Sequence, residues 1–293
     1  MTTGSCRICG STEITLAKPS NIRSQVESRD FRITDSHYGV TLAIYLCPKC
    51  GFMQCDGMHD SINFYETLED PEYEAGRPLR LQQAKAILKT VIQATALQHR
   101  GRLLDVGAGS GILVEAASDM GFDAEGVEPS NWLQARAVAN GCRVHAGVLP
   151  HPAVSGLFDV VTMIDVIEHV DDPRALLRFS SSLVKRGGVV VIITPDAGSI
   201  LARLMGWRWW HYRIAHVGYF TRRNLELACQ LEALKVVAVS RPGWVFSMAY
   251  LLTRLDNYLP AWLLPRERAW MHRVSIPLNL GDSLMIIAQR DEG

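Results

Sequence analysis

The sequence predicts an α/β chain, a mainly parallel sheet with helices on both faces, preceded by a small unit held by cysteines. Three observations predict it. The stretch Arg102–Ala117 (RLLDVGAGSGILVEAA) passes from an apolar strand through three alternate glycines into a helix. Downstream, short apolar runs alternate with helical patterns, as parallel strands joined by crossover helices require. Upstream, two C-x-x-C pairs, Cys6/Cys9 and Cys47/Cys50, are each followed by glycine. Length and composition agree, because 293 residues with 48% hydrophobic and 20% charged side chains suit one large folded unit with appendages. No apolar run approaches the roughly 18 residues of a spanning helix. The start MTTGSCRICG has no apolar signal core, so a cytoplasmic location is expected.

The first 60 residues read as a zinc ribbon. Each C-x-x-C-G is a tight knuckle, and together Cys6, Cys9, Cys47 and Cys50 offer four thiolates to one tetrahedral Zn2+ ion. The 37 residues between Cys9 and Cys47 leave room for a small hairpin sheet. Paired disulfides or a redox dithiol are the alternatives. A cytosolic chain argues against the first, and two matched knuckles argue against the second. Cys55 is a spare ligand or a buried thiol, and Cys142 and Cys229 read as isolated thiols. Residues 61–100 form a connector. It holds the acidic run Phe64–Glu74 (FYETLEDPEYE) and then a helix over Gly76–Gln98, with Leu79, Ala86, Ile87, Val91 and Ala94 roughly on one face.

Residues 101–293 carry the main sheet. Glycines at a strand-to-helix turn give a sharp bend and let a ligand approach bare, unpaired helix N–H groups. A dinucleotide fingerprint needs its third glycine at position 112, which is Ile. The spacing is D-x-G-x-G-x-G, and that argues against an NAD-dependent reductase. The next strand, Ala124–Val127, ends in Glu128, 23 residues after Asp105. A carboxylate there can accept both hydrogen bonds of a ribose diol. A helix over Asn131–Asn140 stops at Gly141, and a weak third strand follows at Arg143–Ala146. Phe158–Val170 (FDVVTMIDVIEHV) supplies the fourth strand and its loop, and Gly187–Asp196 the fifth. Thr221–Leu234 is a helix N-capped by Thr221. Lys235–Ser240 and Ser283–Gln289 are the last two strands, separated by the insertion 242–282.

The glycine loop, Glu128, Phe158–Val170 and Gly187–Asp196 together resemble the class I S-adenosylmethionine (SAM)-dependent methyltransferases, over roughly Gly101–Arg290. The resemblance implies a Rossmann-like seven-stranded methyltransferase sheet with an N-terminal zinc ribbon and an insertion between the last two strands. It implies SAM as cofactor, held by Asp105, Gly107, Ala108, Gly109, Gly111, Glu128, Pro129, Asp165 and Val166. Enzymes of this class lay a helix such as 76–98 over the cofactor. Tyr73, Arg77 or Arg80 would then reach the methionine carboxylate, unless they only make ion pairs at an exposed helix start. The family's usual acid for the adenine amino group is missing near the third strand, which leaves adenine to backbone groups. Asp165–Pro173 (DVIEHVDDP) resembles the E-H-V motif of ubiquinone-pathway O-methyltransferases. His169 reads as a general base near pH 7, with Glu168 orienting it or joining it on a divalent ion; the alternative is a histidine that caps and packs. His216, in HVGYFT, resembles the histidine before the last large helix and is a second candidate base or a structural donor. Similar ribbons precede the methyltransferase domain in some sugar C-methyltransferases, where they help cover the active site.

The formal charge is zero, but residues 1–196 carry −5, residues 197–280 carry +7 and residues 281–293 carry −2. Ser199–Phe220 holds Trp207, Trp209, Trp210, Tyr212, Tyr219 and Phe220. The acid-free run Ala197–Leu225 holds Arg203, Arg208, Arg213, Arg222 and Arg223. Such a stretch grips a sugar or isoprenoid with a phosphate, lies at a membrane surface, or packs as core with solvated arginines. In the insertion, Arg254 and Asp256 interrupt the apolar run, so an amphipathic helix on a membrane, lid or partner is expected rather than a span. The expected function is methyl transfer from SAM to a small-molecule, glycan or lipid-linked acceptor, as O-methylation with a general base. Peripheral contact with the inner face of the membrane and a homodimer are competing uses of the insertion. A non-catalytic SAM-binding scaffold is the alternative from another class. An RNA methyltransferase is disfavoured by the −5 of ribbon and core.

Overall fold

The computed structural model describes residues 4–55, 61–95, 100–265 and 268–290. The ribbon comes first. Strands β1 (Thr15–Lys18), β2 (Ile44–Leu46) and β3 (Met53–Cys55) pair antiparallel. Each knuckle closes by one backbone bond, Gly10 N–H to Cys6 O at 2.9 Å and Gly51 N–H to Cys47 O at 2.8 Å. Gly10 and Gly51 have φ of 71° and 77°, left-handed values that explain a glycine after each C-x-x-C. The sheet gains a fourth strand, Gly218–Tyr219, from far along the chain.

The connector forms α1 (Ser61–Glu66), α2 (Pro71–Ala75) and α3 (Arg77–Thr95). Of the helix expected over 76–98, residues 96–98 lie outside the described residues. Next come β4 (Arg102–Val106), α4 (Ile112–Asp119), β5 (Asp123–Glu128), α5 (Asn131–Ala139), β6 (Val144–Ala146), β7 (Phe158–Ile164), α6 (Pro173–Leu183) and β8 (Val184–Pro195). Then follow α7 (Ile200–Met205), β9 (the ribbon's added strand), α8 (Arg222–Leu231) and β10 (Leu234–Ser240). The insertion contributes β11 (Trp244–Ser247), α9 (Met248–Leu255) and β12 (Ser275–Leu278), and β13 (Ser283–Arg290) completes the main sheet.

Seven strands lie in the order β10-β13-β8-β7-β4-β5-β6, with β13 antiparallel to both of its neighbours and the other pairs parallel. The apolar run Val189–Ile193 of β8 is fully buried, as a central strand covered on both faces demands. One face packs Leu104, Phe158, Val161 and Ile192 with Leu225 and Phe220, and this cluster continues without a break into Phe52, Ile8, Cys6 and Cys47 of the ribbon. On the other face, Ile87, Leu88 and Val91 of α3 pack with Leu113, Ala116 and Val191.

Helix ends differ from expectation in ways that caps explain. α5 stops at Ala139 and the chain turns at Gly141 (φ 78°). α8 stops at Leu231, three residues early, because Ala233 takes a left-handed φ of 56° before β10. Thr221 is its N-cap, in a reciprocal capping box with Asn224. The insertion is a hairpin with a short helix rather than one long amphipathic helix. Trp244–Ser247 pairs with Ser275–Leu278, since aromatic and β-branched residues favour strand, and Ser247 then caps α9. Among the described residues no helix is long and apolar enough to cross a membrane.

Candidate cofactor and acceptor site

The glycine loop leaves the carboxyl end of β4. Gly107, Gly109 and Gly111 all have left-handed φ, of 71°, 53° and 77°. A β-carbon at Gly107 would lie 2.6 Å from Val166 Cγ2, and one at Gly111 2.8 Å from Cys142 Cβ, so neither position admits a side chain. Gly107 and Ala108 donate their N–H groups to the Val127 carbonyl at 2.9 and 3.0 Å, which locks the loop to β5. Glu128, buried at the end of β5, accepts from the N–H groups of Gly109 and Ser130, each at 2.8 Å. Asp105 accepts from Thr162 Oγ1 at 2.6 Å. Burial raises both carboxyls to about 7, although these hydrogen bonds pull the other way.

The connector lies over this loop. Asp70 is buried and accepts from Thr34 Oγ1 (2.6 Å), Thr34 N–H (3.0 Å) and Tyr73 N–H (3.0 Å), which caps α2 and fixes it to the ribbon. The Tyr73 hydroxyl stands 3.0 Å from where a Gly109 β-carbon would be, and the Arg80 guanidinium sits 4.3 Å above the Tyr73 ring centroid. Burial pushes the Tyr73 phenol up to about 12, so it stays neutral. Arg77 is committed elsewhere, donating to Ser110 O at 3.0 Å and pairing with Glu74 and Glu115. Opposite, Asp165 holds a left-handed φ of 52°, uncommon without glycine. Its side chain is accessible yet ringed by protein. That desolvation raises its carboxyl to about 6, against the pull of Arg80 and Arg213.

Beyond Asp165 a 3-10 turn, Ile167–His169, carries the Glu-His pair. Glu168 is buried and its Oε2 accepts from Thr194 Oγ1 at 2.9 Å, while Oε1 has no partner among the described residues. Burial and the Asp165 charge push its carboxyl well above the usual range. His169 Nδ1 lies 2.8 Å from the Ala215 carbonyl and 2.8 Å from the Tyr65 hydroxyl. A carbonyl only accepts, so the proton is assigned to Nδ1 and the lone pair to Nε2. Burial lowers His169 to about 4, so the ring is neutral. The His216 ring meets it edge-on with centroids 4.7 Å apart, and His211 stacks on His216 at 5.8 Å. Burial lowers His211 to about 3 and holds His216 well below its ordinary value. Donor atoms of Glu168, His169 and His216, the three residues singled out from the sequence, all lie within 4.8 Å of one another. Tyr65 and His211 were not singled out. Tyr65 is 104 residues from His169, and no spacing joins them.

The four knuckle cysteines also meet. Cys6 and Cys50 Sγ are 3.5 Å apart, Cys9 and Cys47 3.6 Å, and all four lie within 4.8 Å. A tetrahedron with Zn–S of about 2.3 Å has edges of about 3.8 Å, whereas a disulfide needs about 2.05 Å. The donor set fits zinc. Cys55 stands outside it, buried, with Sγ 3.6 Å from the His216 carbonyl.

The basic aromatic stretch divides. Trp209, Tyr212, Tyr219 and Phe220 are core, and the Trp209 indole donates to Asp282 at 3.1 Å. Arg213 is nearly buried, binding the carbonyls of Arg32 and Ile33 in the ribbon. Arg208 is exposed, 5.9 Å from the Tyr258 ring centroid.

Comparison with known proteins agrees with this geometry. A family model described as a methyltransferase domain matches residues 79–239. The ubiquinone biosynthesis O-methyltransferase of Bordetella avium is 34% identical over 138 residues, 43% of this chain and 54% of that one. That of Methylococcus capsulatus is 36% identical over 140 residues, covering 43% and 55%. The chain therefore spans about half the length of these relatives. A solved S-adenosylmethionine-dependent methyltransferase from Clostridium acetobutylicum shares the fold, with a TM-score of 0.50 and 11% identity over 71% of this chain and 91% of that one. Because the family model spans more than half of its length and the sheet and loop are of that kind, the chain belongs to the methyltransferase-domain family.

Proposed function

We propose that this chain transfers a methyl group from SAM to a hydroxyl of a small molecule. The observation that carries the reading is the side-chain-free loop Gly107–Gly111 at the carboxyl edge of the sheet, with buried Glu128 against it. The residues fit the cofactor. Glu128 has lone pairs to spare for ribose hydroxyls, Asp105 and Asp165 favour positive charge nearby, and Tyr73 with Arg80 closes the loop from above. SAM, when bound, supplies an electrophilic methyl group. His169 Nε2 takes the acceptor's proton as its oxygen attacks, with the ring held by Ala215 and Tyr65. A base depressed to about 4 is always unprotonated near pH 7 but weak. It suits an acidic hydroxyl, such as a phenol, better than a sugar alcohol. The names of the ubiquinone-pathway relatives support the same choice.

A specific observation favours a second element of the reading, an acceptor met at an anionic membrane surface. Ile200 and Leu204 are 78% and 80% exposed in the same segment as the exposed Arg203 and Arg208, and in the insertion Trp262 is 81% exposed. The Tyr258 hydroxyl bonds to the Arg208 carbonyl at 3.0 Å, which ties the insertion to the segment after α7.

The test is transfer of label from methyl-labelled SAM to a panel of phenols, catechols and sugars. Transfer to a phenol that is lost in His169→Ala is the expected result. Binding of SAM without transfer to any of them would favour the scaffold, and no binding at all would overturn the reading.

A further inference from the structure

Residues 215–219 run between the ribbon and the Glu-His turn. On the ribbon side, β3 pairs with β9 in the register Met53↔Tyr219 and Gln54↔Gly218, and Cys55 N–H donates to the Val217 carbonyl at 2.9 Å. On the other side, Val217 N–H donates to the Glu168 carbonyl at 2.9 Å, and the Ala215 carbonyl accepts from His169 Nδ1 at 2.8 Å. There is no slack in the join, since a β-carbon at Gly218 would lie 3.1 Å from Phe52 and 3.3 Å from Phe220.

Two ribbon side chains tie the first knuckle to this segment. Gln54 is fully buried; its Oε1 accepts Arg7 N–H at 2.9 Å and its Nε2 donates to the Ser5 carbonyl at 3.1 Å. Ser5 and Arg7 flank Cys6. The Arg7 guanidinium reaches the Val217 carbonyl at 3.5 Å and Asp171, two residues past His169, at 3.4 Å.

We propose that Gln54 and Arg7 are positioning residues, which carry the geometry of the cysteine knuckles into residues 215–219 and so hold His169 as the Nδ1–H tautomer with its lone pair on Nε2. The tautomer of a neutral imidazole is set by the hydrogen bond its other nitrogen makes. Of the two groups on Nδ1, the Tyr65 hydroxyl can donate or accept, so the selecting group is the Ala215 carbonyl, in a segment whose place the ribbon fixes. The ribbon is then a wall of the acceptor side whose fold decides which nitrogen is free. The catalytic consequence rests on the methyl-transfer reading; the coupling itself does not.

The experiment is long-range 1H–15N NMR of the full zinc-loaded chain labelled with 15N-histidine, with the His169 signal assigned by its loss in His169→Gln. Wild type is expected to show Nδ1 protonated. Gln54→Ala should bring His169 into tautomer exchange while zinc content and SAM affinity stay within about twofold of wild type. Gln54→Glu, whose buried carboxyl as the neutral acid keeps both an acceptor for Arg7 N–H and a donor for the Ser5 carbonyl, should restore the wild-type signature. If Gln54→Ala does not fold, Arg7→Ala gives the same readout, and so does zinc removal from wild type by a chelator. With a phenolic acceptor in hand, Gln54→Ala should lower kcat by about tenfold, the scale of one lost hydrogen bond to a charged or reacting group, with KM for SAM unchanged. A His169 signal unaltered in Gln54→Ala, Arg7→Ala and zinc-stripped protein would overturn the proposal. If SAM binds no form of the protein yet the tautomer responds, the methyl-transfer reading fails and the coupling stands.

Discussion

Glu128 and Asp105 are acids whose ordinary pKa near 4 is raised by burial to about 7. A raised carboxyl contributes stability that is complete below its unfolded pKa and is lost as pH rises through its folded one. Near pH 6 the ligand-free chain therefore keeps a proton on most of its Glu128 carboxyls. Ribose hydroxyls donate to the ionised form, so SAM binding should release protons below pH 7. Affinity should climb with pH and level off above about 7. Calorimetry in buffers of different ionisation enthalpy measures this directly, and a heat independent of buffer at pH 6 would contradict it. Glu128→Ala should weaken SAM binding about ten- to a hundred-fold, as loss of a charge-assisted hydrogen bond does. Gly109→Val should be worse, because position 109 has φ 53° and its β-carbon would press on the Tyr73 hydroxyl. At this scale the loop's bare glycines and the carboxylate beside them were readable from residue types. The protonation of its acids was not, because burial comes from packing that no local pattern records.

The ribbon is the element whose removal should be felt farthest away. Its knuckle cysteines share one apolar cluster with Phe158, Leu225 and Phe220 of the large sheet, and its own sheet is completed by β9. Metal analysis should find about one zinc per chain. Stripping it, or Cys50→Ser, should lower the melting temperature of the whole chain in one transition, read by scanning calorimetry. A separate low-temperature transition, with the main one unmoved, would show the ribbon to be energetically independent. The knuckles were legible because C-x-x-C-G has one compact solution, two thiolates and a left-handed glycine. The β3–β9 pairing was hidden, since Gly218 and Tyr219 are two residues with no strand signal of their own. Phe52 and Phe220, which flank the paired residues, pack with ring centroids 4.9 Å apart.

Over the whole molecule, charge and apolar exposure are unevenly spread. The +7 of residues 197–280 is partly spent inside, on contacts such as those of Arg213 with the ribbon, but Arg203 and Arg208 remain exposed near Leu204 and Trp207. Co-sedimentation with vesicles should be strong for anionic lipid and weak for neutral lipid. Leu204→Ser combined with Trp262→Ser should reduce it about a hundredfold or more, since each apolar side chain the bilayer buries is worth about 1.5–3 kcal/mol. A protein that ignores vesicles but sediments as a dimer would reassign this surface to a second copy.

By itself the sequence determined the class of the sheet, the glycine loop and the cysteine unit. Each is encoded locally, in residues whose steric or ligating properties need no distant partner. Tertiary structure alone decided which side chains meet beyond Asp165. Tyr65, His169, His211 and His216 come from three separate segments, and Ala215 and the ribbon strand behind it assign the His169 proton. Contacts between segments so far apart leave no period or spacing in the chain, because what selects them is the closure of a shared core.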